Sequence, residues 1–171
     1  EGAQILDIGG MSSRPGSEEV PESVELERVI PVIRAIHHQF PNMILSLDTY
    51  RSGVAQAGIE AGVAMINDIS GGRFDPDLMP LVARHQVPYI LMHMRGTPKD
   101  MHLHTDYEDV ISDVIKYFVG RVQEARRAGV RDIILDPGFG FSKTLAQNYE
   151  VIRKLGMLRM LSCPILIGVS R

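Results

Sequence analysis

Ile133-Ile-Leu-Asp-Pro-Gly-Phe-Gly-Phe-Ser-Lys143 is the stretch from which the fold can be read. Three apolar residues without polar alternation describe a short strand buried on both faces, and the run stops at Asp136, Pro137 and two glycines. A core strand thereby delivers a carboxylate to the mouth of a loop. Gly138 and Gly140 permit tight backbone geometry, while Phe139 and Phe141 set flat apolar surfaces beside the acid, as a pocket for a flat, polar-edged ligand requires. Taken alone, the segment equally describes a strand-to-helix turn whose Asp caps the next helix. Repetition along the chain separates the two readings.

Upstream, Ile5 to Ile8 forms a strand carrying Asp7, followed by a glycine-punctuated polar loop through Ser13, Arg14, Pro15 and Gly16, well placed for function. Asp7 is expected to anchor that loop. From Pro21 to Phe40 the apolar residues Leu26, Val29, Ile30, Ile33, Ile36 and Phe40 share one helical face, with Glu22, Glu25, Glu27 and Arg34 largely opposite; Pro31 should kink the helix. Met43 to Leu47 is a second strand, delivering Asp48, and Ser52 to Ala61 a helix closed by Gly62. Val63 to Ile66 leads to Asn67 and Asp68, of which Asp68 is expected to be structural. Asp75 reads as the N-cap of a helix running to His85. Tyr89 to Met92 ends at His93, which is expected to be a hydrogen-bonded histidine beneath the pocket. Thr105 or Asp106 opens the longest helix, to Ala128, and Leu145 to Leu155 is another. Pro164 to Val169 is the last strand.

Six non-alternating strands separated by five helices are the pattern of parallel βαβ units. The class is α/β, and the layouts compatible with it are a closed (β/α)8 barrel and an open doubly wound sheet. No Gly-x-Gly-x-x-Gly opens an early helix, and nearly every strand carries a polar residue at its carboxyl end, which favours a TIM barrel. Such barrels need about 250 residues, so these 171 amount to roughly two-thirds of one. The expected domain is therefore a partial barrel over 1–171, without its first and last strand-helix units.

Composition narrows the function. The chain is 44% hydrophobic and 23% charged with a net charge of -3, and its basic residues form no run, so no electrostatic footprint for nucleic acid or an anionic membrane is present. A small-molecule partner fits better. A single cysteine, Cys163, fits a reducing compartment, and a cytoplasmic location is expected. His93, His102 and His104 lack the companion ligands of a metal centre.

Asp7 to Gly16, Ser46 to Tyr50 (Ser-Leu-Asp-Thr-Tyr), Ile66 to Gly72 (Ile-Asn-Asp-Ile-Ser-Gly-Gly), Met92 to Gly96 (Met-His-Met-Arg-Gly) and Asp136 to Lys143 together resemble the dihydropteroate synthase family, across the whole chain. The resemblance implies a (β/α)8 barrel, commonly a homodimer and a sulfonamide target. It joins 4-aminobenzoate to a dihydropterin diphosphate in folate biosynthesis, with Mg2+ accompanying the diphosphate. It also implies a pterin slot made by Asp48, Asn67, Ile69, Met92, Asp136, Gly140 and Phe141, and an aminobenzoate contact through Ser13, Arg14, Pro15 and Phe141. Arg14, Asp48 and Asp136 are the residues that would carry catalysis, Arg14 by positioning. A pterin edge offers a ring N–H beside an exocyclic amino group, two parallel donors that a carboxylate accepts as a fork; Asp136 is expected to do so.

Ser13 stands where the family usually has Thr. No metal ligand is expected within these residues: the family's metal-binding Asn lies in a first loop, its pocket lysine just past Ser170-Arg171, and its Arg-x-His anion site in the last unit. For the 171 residues alone, no turnover is expected. The alternatives are a pterin-binding methyltransferase domain of the corrinoid type and a truncated, non-catalytic barrel.

Overall fold

The computed structural model describes residues 2–14 and 17–169. Pro15, Gly16, Ser170 and Arg171, named above, lie outside them. Five strands alternate with five helices among the described residues: β1 (Ile5–Gly9), α1 (Glu22–Gln39), β2 (Ile44–Asp48), α2 (Ser52–Ala61), β3 (Met65–Asp68), α3 (Leu78–His85), β4 (Tyr89–Met92), α4 (Val110–Ala128), β5 (Ile133–Asp136) and α5 (Leu145–Arg153). Short 3-10 turns cover Met101–Leu103 and Leu155–Leu161.

The strands form one parallel sheet in the order β1-β2-β3-β4-β5. A doubly wound sheet reverses its order beside the first strand, whereas this one never reverses, which is the progression of a barrel wall. The expected sixth strand is reduced to a single bridge between Leu135 and Ile165, held by Leu135 N–H to Pro164 O and Leu166 N–H to Leu135 O, each 2.9 Å. Beyond it Ile167 and Val169 are exposed, and no described strand pairs with their far edge.

Alternation along each strand divides the sheet into two faces. Leu45, Leu47, Ile66, Tyr89, Leu91, Ile133 and Leu135 pack outward against Val29, Ile33, Val54, Val82, Val114 and Phe118 of the helices, in one continuous core. Burying each such side chain contributes on the order of 2 kcal/mol. The opposite face carries Asp7, Ser46, Asp48, Asn67, Met92 and Asp136. The helix covering therefore lies on one side, and the polar strand residues are left on the other.

Several helix starts differ from the sequence expectation. The longest helix begins later, at Val110, because Asp109 caps it, accepting from Ile111 N and Ser112 N. Asp75 does not cap α3, whose N-cap is Asp77; instead its Oδ2 accepts from Ser52 N at 2.6 Å, supplying from the next unit the cap that α2 lacks. Pro31 lies within an unbroken α1.

Glu25 is the other correction: it is fully buried rather than on the solvent face, one turn before Val29. Its Oε2 accepts from Arg51 Nη1 at 2.7 Å, and Arg51 also reaches Glu19 Oε1 and Val20 O. This ion pair ties the segment entering α1 to the end of β2. Nowhere among the described residues is a helix long and apolar enough to cross a membrane.

A buried ion pair is costly to break from one side, because the remaining charge has lost its partner. Arg51→Ala is therefore expected to cost about 3 kcal/mol in urea unfolding, and the joint change Arg51→Met with Glu25→Leu distinctly less. A single variant as stable as the double would show that Glu25 does not depend on Arg51.

Candidate functional site

The site is built by strand register. Gly9 pairs with Asp48 and Asp48 with Asn67 across β1, β2 and β3, while Met92 pairs with Asp136 across β4 and β5. Every inward-facing residue of a parallel sheet shares its parity with its register partner, so Asp48, Asn67 and Asp136 project from the same face at the carboxyl ends of their strands. Gly9 lies directly beside Asp48: a Cβ there would touch the Asp48 Cβ at 3.4 Å.

Asp48 is half-buried and does not cap α2. Burial, and then the nearby charges of Asp7, Asp68 and Glu25, push its pKa up to about 7. Asn67 donates from Nδ2 to Asp7 Oδ2 at 2.9 Å, and its Oδ1 is buried without a partner among the described residues. Asp7 thus reaches across the open face to hold Asn67, and its carboxylate makes no hydrogen bond to its glycine loop among the described residues. Asp136 is 8% exposed, with Oδ1 accepting from Gly138 N at 2.8 Å. Burial raises its pKa most; the Gly138 hydrogen bond and the charge of Lys143 oppose that rise, and Asp7 adds to it.

Asp68 is structural as expected. It is buried behind the sheet and accepts from Tyr89 Oη at 2.5 Å, Ser70 N at 2.7 Å and Gly72 N at 2.6 Å, which shapes the turn after β3. Ile69 and Met92 are buried together with Met94 and Met101, and Tyr50, Phe74 and Phe141 pack against them. Three of the expected pterin-slot residues therefore share one apolar cluster. Phe139 packs instead against the main core, so the two phenylalanines of the β5 loop serve opposite sides of it. Gly140 is exposed at φ +81°, its N–H donating to Asn148 Oδ1.

Ser13 is half-buried and Arg14 exposed; Arg14 donates its backbone N–H to Ser12 Oγ, and its guanidinium makes no ion pair with the described residues. Neither is brought against Asp48 or Asp136. Arg95, from the Met-His-Met-Arg-Gly segment, is held by Asp113 at 2.6 Å and lies over the Tyr107 ring. His93 is buried, and its Nδ1 lies 2.9 Å from Lys143 Nζ. In the sequence that lysine is simply the last residue of the Asp136 to Lys143 motif, with no role assigned to it. Among the described residues no three His, Cys, Asp or Glu gather as a metal-holding group.

The family described as pterin binding enzyme matches residues 1–171. The dihydropteroate synthase of Synechocystis is 46% identical over 172 residues, covering 99% of this chain and 59% of that protein. The structure of Xanthomonas albilineans dihydropteroate synthase with 4-aminobenzoic acid superposes with a TM-score of 0.92 at 42% identity, covering 99% of this chain and 60% of that one. Yersinia pestis dihydropteroate synthase in a sulfonamide drug complex gives 0.94 at 39% identity, over 99% and 62%. The chain thus spans about three-fifths of the relatives it matches.

The Asp48 environment makes a sign-definite prediction. Between an unfolded value of about 3.9 and the folded value of about 7, the folded chain retains a proton that the unfolded chain releases. Stability contributed by this group therefore falls as pH rises through that window, and the cost persists above it. Asp48→Asn is expected to raise the urea midpoint at about pH 8 and to raise it much less at about pH 4. A variant less stable than its parent at the higher pH would reveal a stabilising partner for the carboxylate.

With a family match over residues 1–171 and superposition on solved relatives at 39–42% identity, this chain belongs to the pterin-binding enzyme family.

Proposed function

We propose that the protein carrying this chain is a dihydropteroate synthase, condensing 4-aminobenzoate with 6-hydroxymethyl-7,8-dihydropterin diphosphate to give 7,8-dihydropteroate and diphosphate. One observation carries the reading: a buried, partnerless Asn67 Oδ1 stands in register beside Asp48, on the sheet face shared with Asp136. Buried acceptors without donors are uncommon and costly, and a pterin edge supplies donors in the number needed. The similarity to synthases solved with 4-aminobenzoic acid and with a sulfonamide drug supports the second substrate.

On this reading Asp136 accepts the ring N–H and the exocyclic amino group, using the acceptor capacity that Gly138 N–H leaves free. Asn67 Oδ1 takes a further donor while Asp7 fixes its amide. Asp48, with a pKa of about 7, meets the ring as acceptor or, protonated, as donor. Ile69, Met92 and Phe141 provide the flat apolar wall. Ser13 and Arg14, which follow β1 in the chain, would position the aminobenzoate together with Phe141, and the same role is assigned to Pro15 from the family resemblance.

The carbon–oxygen bond to diphosphate breaks with its electron pair leaving on oxygen. The resulting pterin-methylene cation is delocalised into the ring, the arylamine nitrogen bonds to that carbon, and the nitrogen then loses a proton. No protein nucleophile enters the step, and holding two rings in line provides much of the acceleration. Mg2+ accompanying the diphosphate would stabilise charge on the leaving group. The described residues do not form a resident site for it, and nothing above depends on one. A homodimeric, cytoplasmic enzyme completes the reading.

Asp136→Asn sets an amide donor against ligand donors and is expected to cost about 2–5 kcal/mol of transition-state binding, read from kcat/KM for dihydropteroate formation. Parent-like kcat/KM would remove Asp136 from the pterin pocket. Failure of the unmodified protein to form dihydropteroate from the two substrates would remove the proposed activity.

A further inference from the structure

Lys143 has no part in the reaction outlined above, yet it is only 8% exposed and lies next to the residues that have one. Its Nζ stands 2.9 Å from His93 Nδ1, 3.1 Å from the carbonyl oxygen of Gly138 and 3.1 Å from that of Phe141. An ammonium has three N–H bonds, and there are three acceptors here. The imidazole serves as one because burial, with the neighbouring Lys143 charge next, holds its pKa well below the usual histidine value and leaves it neutral.

The backbone explains how a lysine comes to lie there. Ser142 adopts φ +48°, a left-handed conformation that serine seldom occupies. Its Oγ accepts from Arg95 N at 2.9 Å and lies 3.2 Å from Tyr107 Oη, so the reversal is held from β4's exit and from α4's approach. Phe141 therefore packs with the Met92 cluster, while Lys143 turns behind the loop.

The contacts form a connected set. Asp136 Oδ1 accepts from Gly138 N, Gly138 O accepts from Lys143, and Phe141 O accepts from the same ammonium. Gly138 is pressed against β4's exit so closely that a Cβ there would fall 2.2 Å from His93 O. One cation thus joins His93 to both ends of the turn that presents the Asp136 carboxylate and the Phe141 ring.

We propose that Lys143 is a positioning residue of the pterin site, its three-way contact fixing the separation between the Asp136 carboxylate and the Phe141 ring without itself touching substrate. The inference rests on the reading that those two residues hold the pterin. Burial pushes the Lys143 pKa down to about 7, partly offset by the Asp136 charge and furthered by Arg95, which shows how strongly the loop encloses the ammonium.

The test uses the full-length protein carrying this chain, with 6-hydroxymethylpterin as probe in calorimetric titration and thermal melting alongside. Lys143→Met, of similar length but without donors, is expected to lose about tenfold or more in pterin affinity. Phe141→Ala is expected to cost less in the Lys143→Met background than in the parent, because residues acting as one unit are not additive. A merely structural lysine would lower the melting temperature and leave the two effects independent, overturning the proposal. Should Lys143→Met fail to fold, Lys143→Arg keeps the charge but cannot fit its wider head at the same three distances; parent-like affinity in a folded Lys143→Arg would equally overturn it. If the parent binds pterin and Asp136→Asn does not, while both lysine variants bind as the parent does, the positioning role alone falls. If the parent itself does not bind, the site reading falls and takes this inference with it.

Discussion

Parallel pairing in register is the constraint from which the rest of this molecule follows. Side chains alternate across each strand with a period of two, and a slip of one residue in any pair would exchange the core face for the open one. Because Asp48 faces Asn67 and Met92 faces Asp136 in the ladder, one choice of register both packs Leu47, Ile66, Leu91 and Leu135 against the helices and gathers the polar residues opposite them. Packing and chemistry are selected by the same event. The apolar face provides the free energy that holds the carboxylates at a spacing their mutual repulsion would oppose.

That repulsion is visible in the acids themselves. Asp7 raises both Asp48 and Asp136, and neither effect would exist if the three did not share one field. The structure answers it unevenly. Asp136 has a backbone donor and a nearby ammonium; for Asp48 burial and three neighbouring acids all act in the raising direction. Groups left this poorly satisfied in a well-packed fold are unfavourable for stability, and their persistence is intelligible when a ligand completes them.

Much of this could be read from the residues. Ile133 to Leu135 is strand because nothing polar interrupts it, and Gly62 and Gly129 close helices in left-handed geometry as glycines there should. The gathering of Ile69, Met92 and Phe141 was accessible through family resemblance. What local pattern does not reveal is which polar side chains from distant segments pair with one another. Glu25 reads as a solvent residue until Arg51 is known to face it, 26 residues away. Asp7 looks like a loop anchor because its partner Asn67 is 60 residues on. Lys143 looks like an exposed terminal charge because nothing local reveals that Ser142 turns it inward. The final strand is shorter than Pro164 to Val169 suggests, because apolar, β-branched residues favour pairing but its extent depends on a neighbour that a local pattern does not contain.

The cap that Asp75 supplies to α2 bears on how freely such a fold can be recombined. Strand-helix units of a barrel are often imagined as interchangeable modules, each folding with its own ends finished. Here the amino terminus of one module is completed by the residue that opens the descent into the following helix. A graft that imported the second unit without the third would arrive with an unfinished helix. Joints for chimeras are accordingly better cut after α3 than between β3 and α3.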